Sequence, residues 1–350
     1  MTTPFENNSD QTFIIAEAGS NWKAGTLEED LKRSEQLIKT ASKSGANAIK
    51  FQTYRSSTVY ASFAGKSDYL SESGFNEDIN EIFDYLSMPY ELIPKLKKIC
   101  ENENIEFMST PFSVEDAKHI QPYVSIHKIA SFEINHIRLL EFLAKTNKPI
   151  LLSTGASNLD EIDFAVNYLK RNGNNKITLL QCTSKYPAPL ESLNLSVIPM
   201  LQKRYNLSIG FSDHSLDSII APILAVGYGA TVIEKHFTLD RTLNGPDHGF
   251  ALEPNELETM ISSIRLAEKC RGNGIKKILN EEEELRKFAT RSIQATCDIK
   301  KGEILKEGIN FDILRPGKNI RGIEPRFLSE IEGKESTEDI TCGSGISEFK

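Results

Sequence analysis

The sequence predicts an α/β chain, a (β/α)8 TIM barrel followed by a small β-rich domain. Three observations carry this. A short β-branched run, a polar break and a stretch of helical period recur eight times before Gly272. Polar residues gather at the C-terminal end of every run, and the pattern changes after Gly272. Eight strand–helix units within about 270 residues match a closed barrel, which typically takes about 250.

The runs are Phe13–Gly19, Ala48–Tyr54, Glu106–Phe112, Ser125–Ser131, Pro149–Gly155, Ile177–Thr183, Leu207–Asp213 and Thr231–Thr238. Each is near-continuously apolar, as a strand buried on both faces requires. Between them, Thr26-Leu-Glu-Glu opens like a capping box, with Leu27, Leu31, Leu37, Ile38 and Ala41 on one helical face. Asn158-Leu-Asp-Glu161 opens a second helix through Ile162, Ala165, Val166 and Leu169, and Pro254 starts a third that runs to about Cys270. An open doubly wound sheet is the alternative. It would have fewer strands and a Gly-rich first turn, and Ala18–Gly25 is not G-x-G-x-x-G.

The connection Arg55–Met88 is long and holds Tyr60, Phe63, Tyr69, Phe75, Phe83 and Tyr85. A connection of that length and aromatic density predicts a folded excursion over the barrel mouth or a subunit contact. The barrel domain is assigned to 1–272, a charged linker helix to 273–289 and the small β-rich domain to 290–350. Within the last, Arg291–Thr296 and Glu303-Ile-Leu305 read as short strands around a Lys300-Lys-Gly302 turn. Glu281–Glu284 reads as a solvated helix face.

With 39% apolar and 26% charged residues, the chain can bury a core as a soluble globular protein. A net charge of −8 excludes a nucleic-acid coat or a polybasic membrane contact. An anionic substrate would need locally placed lysine or arginine. Five cysteines, odd in number and never C-x-x-C, exclude a zinc ribbon or disulfide framework. Met1–Gln11 has neither a basic nor an apolar signal region, and no apolar run spans a bilayer. The expectation is a cytoplasmic protein.

The strand ends carry Glu17, Lys50 with Gln52, Ser109 with Thr110, and Lys128 with Ser131. They continue with Ser153 and Thr154, Thr183 and Ser184, Ser212 with His214, and Glu234 with His236. Buried polar groups cost free energy unless paired, so this accumulation marks a binding mouth rather than a core. Two lysines, several hydroxyls and a glutamine form a cradle for a phosphate or carboxylate. His214 and His236, with carboxylates beside them, point to a divalent-metal or acid–base site. Glu17, projecting into an otherwise apolar mouth, is expected to have a raised pKa and to act as acid or base. Asp247 joins the site, with His248 as a supporting loop residue. His119, His127 and His136 are left as surface or packing residues, and Cys182 as core.

An ordered set of motifs then resembles the sialic acid synthase (N-acetylneuraminate synthase) family. It comprises Ile14-Ile-Ala-Glu-Ala-Gly-Ser-Asn21, Lys50-Phe-Gln-Thr53, Ser109-Thr-Pro-Phe112, Lys128-Ile-Ala-Ser131, Leu152-Ser-Thr-Gly155 and Tyr186-Pro-Ala-Pro189. Gly210-Phe-Ser-Asp-His-Ser215, Ile233–Asp240 and Gly245-Pro-Asp-His248 complete the barrel part. The tail, from Arg291 to Arg315-Pro-Gly317, resembles that family's antifreeze-like (SAF) domain. The resemblance implies condensation of phosphoenolpyruvate with an N-acetylmannosamine-type sugar, giving a nine-carbon 2-keto sugar acid and phosphate. It also implies a divalent metal, Mn²⁺ first with Mg²⁺ or Co²⁺ as alternatives, and a domain-swapped homodimer.

By the same resemblance, Lys50, Thr110, Lys128, Ser131, Ser153 and Ser212 would hold phosphoenolpyruvate. His214 and His236 would bind the metal, and Glu17 would move protons. Gln52, Ser184, Tyr186, Glu234, Asp247 and Arg315 would grip the sugar, Arg315 from the partner subunit. The loops at Asn21-Trp22 and Ser184-Lys185 depart from some relatives, so the sugar stays open. Its candidates are N-acetylmannosamine, its 6-phosphate and di-N-acetyl-trideoxy sugars, with Gly245-Pro-Asp-His248 leaning towards the neuraminic or legionaminic branches. A metal-dependent sugar isomerase or epimerase, and a non-catalytic glycan- or ice-binding protein, are the rival readings.

Overall fold

The computed structural model describes residues 11–72 and 74–350; the N-terminal segment 1–10, Ser73 and the side chains of Tyr69 and Glu72 lie outside the described residues. Eight strands form one parallel sheet: β1 (Phe13–Gly19), β2 (Ala48–Thr53), β3 (Glu106–Pro111), β4 (His127–Ile129), β5 (Ile150–Ser153), β6 (Ile177–Cys182), β7 (Ser208–Asp213) and β8 (Val232–His236). Hydrogen bonding runs in the order β3-β2-β1-β8-β7-β6-β5-β4, and contact between β3 and β4 closes the ring. This is the expected eight-stranded TIM barrel. Each strand lies within its predicted run, with the polar ends trimmed into loops.

Alternation along each strand sorts side chains into three sets. Ile15, Ala48, Met108, Ile126, Leu151, Leu180 and Val232 point inward and fill the lower barrel as an apolar plug. Ile14, Ile49, Phe51, Phe107, Ile129, Leu152, Ile209, Phe211 and Ile233 point outward, into the larger core beneath the helices. Two residues beyond the plug, the inward positions turn polar. Gly210 occupies the plug level on β7 because there is no room for more. A Cβ there would lie 2.5 Å from Leu180 Cδ2 and 2.6 Å from the Val232 carbonyl oxygen.

The helix Leu27–Lys43 starts with the predicted capping box between Thr26 and Glu29, and Leu159–Arg171 with one between Asn158 and Glu161. Leu27, one of the apolar residues of this helix, is at the first helical position and 40% exposed. The excursion after β2 folds into short helices, Ser56–Val59, Asp68–Glu72 and Ile79–Leu86. Leu70, Ile79, Ile82 and Leu86 pack there with Tyr54, Phe75, Phe83 and Phe112 into a separate apolar cluster.

The chain divides into two compact units between Gly272 and Asn273. The second contains the helix Glu283–Ala289 and an antiparallel pair, β9 (Ser292–Ala295) and β10 (Phe311–Leu314). Glu281–Glu284 are exposed, as a solvated face requires. The strand expected at 303–305 reduces to an isolated bridge between Ile304 and Glu335. This unit has its own core, including Ile293, Leu305, Phe311, Ile331, Ile340 and Ile346. Among the described residues, no helix is long and apolar enough to cross a membrane.

Candidate active site

Strand register brings the polar ends to one level. Glu17 lies opposite Lys50 on β2 and His236 on β8, Gln52 opposite Thr110, and Ser212 opposite Glu234. Together they line a cavity of about 670 Å³ at the C-terminal end of the barrel.

Two ammonium groups form its floor. Lys50 Nζ lies 2.6 Å from Glu17 Oε2, 3.7 Å from Glu234 Oε2, and donates to Thr110 Oγ1 at 2.9 Å. Lys128 Nζ donates to Ser153 Oγ at 2.9 Å and lies 3.6 Å from Glu234 Oε1. Ser212 Oγ donates to the same Glu234 oxygen at 2.9 Å, and Gln52 Nε2 to Glu17 Oε1 at 3.1 Å. The mouth is therefore not the apolar surrounding expected for Glu17; it is a buried lattice of charges in which Glu17 is ion-paired. Burial still dominates and pushes the Glu17 carboxyl up to about 7, against the opposing pull of Lys50. For Glu234 burial is again the largest influence, but Lys128 and Lys50 together outweigh it and hold the carboxylate below its ordinary value.

The imidazoles stand beside this floor, with ring centres 5.6 Å apart. His214 Nδ1 is 2.8 Å from the Thr183 carbonyl, which can only accept, so Nδ1 carries the proton and Nε2 keeps a lone pair. His236 Nδ1 is buried without a hydrogen-bond partner. Burial brings His214 down to about 4 and His236 well below its ordinary value, so both are neutral at pH 7. Neutral imidazoles, one oriented by a backbone carbonyl and one with an orphaned buried nitrogen, fit the nitrogen ligation of a borderline divalent cation. Among the described residues no cluster of three or more His, Cys, Asp or Glu side chains converges as a complete cage. An ion held by these two imidazoles would need its remaining ligands from water or substrate.

The barrel residues assigned to catalysis, substrate or metal line this cavity: Glu17, Lys50, Gln52, Thr110, Lys128, Ser131, Ser153, Ser184, Tyr186, Ser212, His214, Glu234, His236 and Asp247. Ser109, Thr154 and Thr183, also expected at the mouth, turn away from it and bond to Thr53 Oγ1 and to the Leu180 and Ser192 carbonyls. Ser131 Oγ accepts from the Gly155 amide at 3.0 Å, and Ser184 Oγ is buried without a hydrogen-bond partner. The Tyr186 ring lies 4.2 Å from that of His214. Asp247 Oδ2 accepts from the Ser20 amide at 2.7 Å and its hydroxyl at 2.8 Å, folding the β8 loop back onto the end of β1. That approach needs Gly19, at φ +51°, where a Cβ would lie 2.4 Å from Asp247 Oδ2. Glu234, grouped above with the sugar ligands, sits between the two lysines. Arg315 is exposed just after β10, in the second unit.

The remaining histidines are structural. His248 Nδ1 meets Thr238 Oγ1 at 2.6 Å, His127 Nε2 meets Thr146 Oγ1 at 3.0 Å, His119 stacks on Tyr90, and His136 Nδ1 caps the Leu139 amide. Cys182, expected in the core, instead lines the cavity with Sγ 3.8 Å from His214 Nδ1. Its inward parity, shared with Leu180, is the signal that finds it. Sequence reasoning also missed Glu133, whose carboxyl burial pushes up to about 7, and the exposed Lys185 at the rim.

A closed β/α barrel with an anion floor, acid–base carboxyls and two neutral imidazoles at its mouth defines a barrel enzyme acting on an anionic substrate. Comparison with known proteins narrows this. The model of the NeuB family matches residues 37–276. The chain is 39% identical to the spore coat polysaccharide biosynthesis protein SpsE of Bacillus subtilis, over 95% of this chain and 92% of that one. It is 40% identical to the N,N'-diacetyllegionaminic acid synthase of Campylobacter jejuni, over 94% and 98%. The solved N-acetylneuraminic acid synthetase of Leptospira borgpetersenii, in complex with citrate, superposes with a TM-score of 0.70 at 35% identity, covering 80% of this chain and 90% of that one. The chain belongs to the NeuB family and is an enzyme of that synthase family, whose members are phosphoenolpyruvate-dependent synthases of nine-carbon sugar acids.

Proposed function

We propose that this enzyme condenses phosphoenolpyruvate with an N-acetylated mannose-type hexosamine and water, releasing phosphate and a nine-carbon 2-keto sugar acid. The observation that carries the reading is the juxtaposition of the Lys50–Lys128 floor with the neutral His214–His236 pair. Lys50, Lys128, Thr110, Ser131, Ser153 and Ser212 hold the phosphate and carboxylate and orient the enol C3 towards the sugar aldehyde. His214 and His236 hold a divalent ion, Mn²⁺ in the first instance, which when bound supplies Lewis-acid polarisation of the aldehyde.

C3 then bonds to the aldehyde carbon, water adds its oxygen at C2, and phosphate departs with the former enol oxygen. Water gives up both protons as its oxygen becomes the C2 ketone: one ends on the new alkoxide, and the other leaves with the phosphate. Glu17, near neutrality and on the floor, is suited to move both. Gln52, Ser184, Tyr186 and Asp247 grip the sugar within the same cavity, and Glu234 reaches it from the floor between the lysines. Arg315 of a second, domain-swapped copy completes the grip, and the small unit serves as the antifreeze-like domain. The five cysteines, all free, suit a reducing cytoplasm.

The test is phosphate release from phosphoenolpyruvate with N-acetylated mannose-type sugars and Mn²⁺, read with the product mass. Adduct formation is expected; no release with any such sugar would sink the proposal. His236→Ala should lose metal-stimulated turnover and weaken Mn²⁺ binding in calorimetry by more than about tenfold. Unchanged Mn²⁺ binding would remove the histidines from the metal role.

A further inference from the structure

The small unit carries two thiols that the synthase chemistry does not use. Cys297 and Cys342 are both free and exposed. They are remote in sequence, yet the chain leaving β9 runs beside the last segment in one antiparallel register. Gln294 bridges Gly345 and Ile299 bridges Ile340, with no residue gained or lost between the two bridges. Counting inward from either bridge sets Cys297 directly opposite Cys342. Residues so placed have Cα atoms about 4.5–5.5 Å apart, inside the roughly 4.4–6.8 Å that a disulfide spans. Side-chain contacts agree with the count. The Cys342 amide donates to Asp298 Oδ1 at 2.8 Å, and its thiol donates to the Thr296 carbonyl at 3.2 Å. Cys342 is therefore held by the residues on either side of Cys297. A trans peptide oxygen lies about 2.8 Å from the next Cα, so Cys342 Sγ is within about 6 Å of the Cys297 Cα. A turn closed by Ser344 N on the Thr341 carbonyl carries Cys342, so its amide bonds to a side chain rather than to the facing strand. The backbone there is free to let the sulfurs meet.

We propose that Cys297 and Cys342 form a reversible oxidation site, two thiols at rest and one intramolecular disulfide after reaction with a low-molecular-weight disulfide such as oxidised glutathione. One cysteine thiolate attacks a sulfur of the oxidant and expels a small thiol, leaving a mixed disulfide. The second thiolate then attacks the protein sulfur of that intermediate and expels the other small thiol. The two cysteines lose two protons and two electrons, and the oxidant takes up both as its sulfur–sulfur bond becomes two thiols. The new bond closes the chain from 297 to 342 into a loop, tying the end of β9 to the final segment around β10 and Arg315. A closed loop of this length removes freedom from the unfolded chain and so steadies the unit. An exposed disulfide lies at the easily reduced end of the range, so a reducing cytoplasm returns it to thiols. This is a single switchable link, distinct from a structural disulfide framework.

The experiment equilibrates the full chain with glutathione buffers of rising oxidised fraction, blocks remaining thiols by alkylation and maps peptides by mass. A peptide pair joined through Cys297 and Cys342 should appear, and dithiothreitol should remove it. The exposed Cys270, in the first unit, serves as the internal reference. The pair should be half joined at an oxidised glutathione level at least about tenfold below the one that half-modifies Cys270, because the second thiol is held at high effective concentration. In Cys342→Ser, Cys297 should instead keep its glutathione. The amides of Ile299 and Ile340, which bond across the two segments, should exchange with deuterium roughly tenfold or more slowly in the oxidised wild type, and Cys342→Ser should show no such response to oxidant. Separate glutathione adducts on both thiols with no joined peptide would overturn the proposal. So would a link between two chains, seen as a covalent dimer on a non-reducing gel, or equal amide exchange in the oxidised and reduced protein.

Discussion

Glu17 and Glu133 are two buried carboxyls pushed up to about 7, chiefly by burial. For Glu133 the shift has a stability consequence whose sign follows from linkage. Its folded pKa lies above the unfolded one of 4.5, so the native state binds the extra proton. Stability is fully present below about pH 4.5 and is lost as pH rises through about 7. Glu133→Gln, which cannot ionise, should match the wild type near pH 4.5 and exceed it at pH 8 by on the order of 3 kcal/mol. Urea denaturation at the two pH values measures this, and an equal difference at both would contradict it. The two residues also differ in legibility. Glu17 lies inside a strand, where alternation tells which way it points. Glu133 lies in the turn Ser131–Glu133, past the end of β4, where alternation has stopped and direction is decided by the fold. Leu27 is exposed for a related reason: it stands at the first helical position, before the helix reaches the core.

Strands and their caps were the most readable elements. The eight runs were visible because a parallel strand covered on both faces needs continuous apolar side chains, and the capping boxes because their partners lie three residues apart. Tertiary closeness left no such trace. That Gly210 rather than alanine stands in β7 follows from Leu180 on β6 and the Val232 carbonyl on β8, neither of which is near in sequence. Gly210→Ala should therefore destabilise the barrel by about 1–3 kcal/mol through overpacking. Thermal or chemical unfolding of the variant checks this, and wild-type stability would show that β6 and β8 can yield. The excursion's position along the cavity wall was anticipated only as one of two possibilities. Its aromatic content announced a folded segment but not the face it covers.

At the scale of the whole molecule, the division between Gly272 and Asn273 leaves Arg315 in a different unit from the other site residues. The proposed exchange of small units between subunits yields a prediction that neither unit makes alone. Arg315→Ala and His236→Ala homodimers should each be impaired, the first mainly through a raised KM for the sugar. Co-refolded mixtures should regain up to roughly a quarter of wild-type activity, because one site in each mixed dimer escapes both lesions. Activity that never rises above the average of the parents would exclude the exchange. The outer face of β8 bears on how the barrel can diverge. Lys235, between Glu234 and His236, is buried on the opposite side of the strand, holding Asp213 Oδ2 at 2.7 Å and the Ser215 and Asp217 carbonyls at 2.5 and 2.9 Å. A single inserted residue upstream in β8 would exchange the faces, putting the ammonium in the mouth and the two site residues under the helices. Insertions around this mouth are thereby confined to its loops, while the strands beneath them are locked in phase.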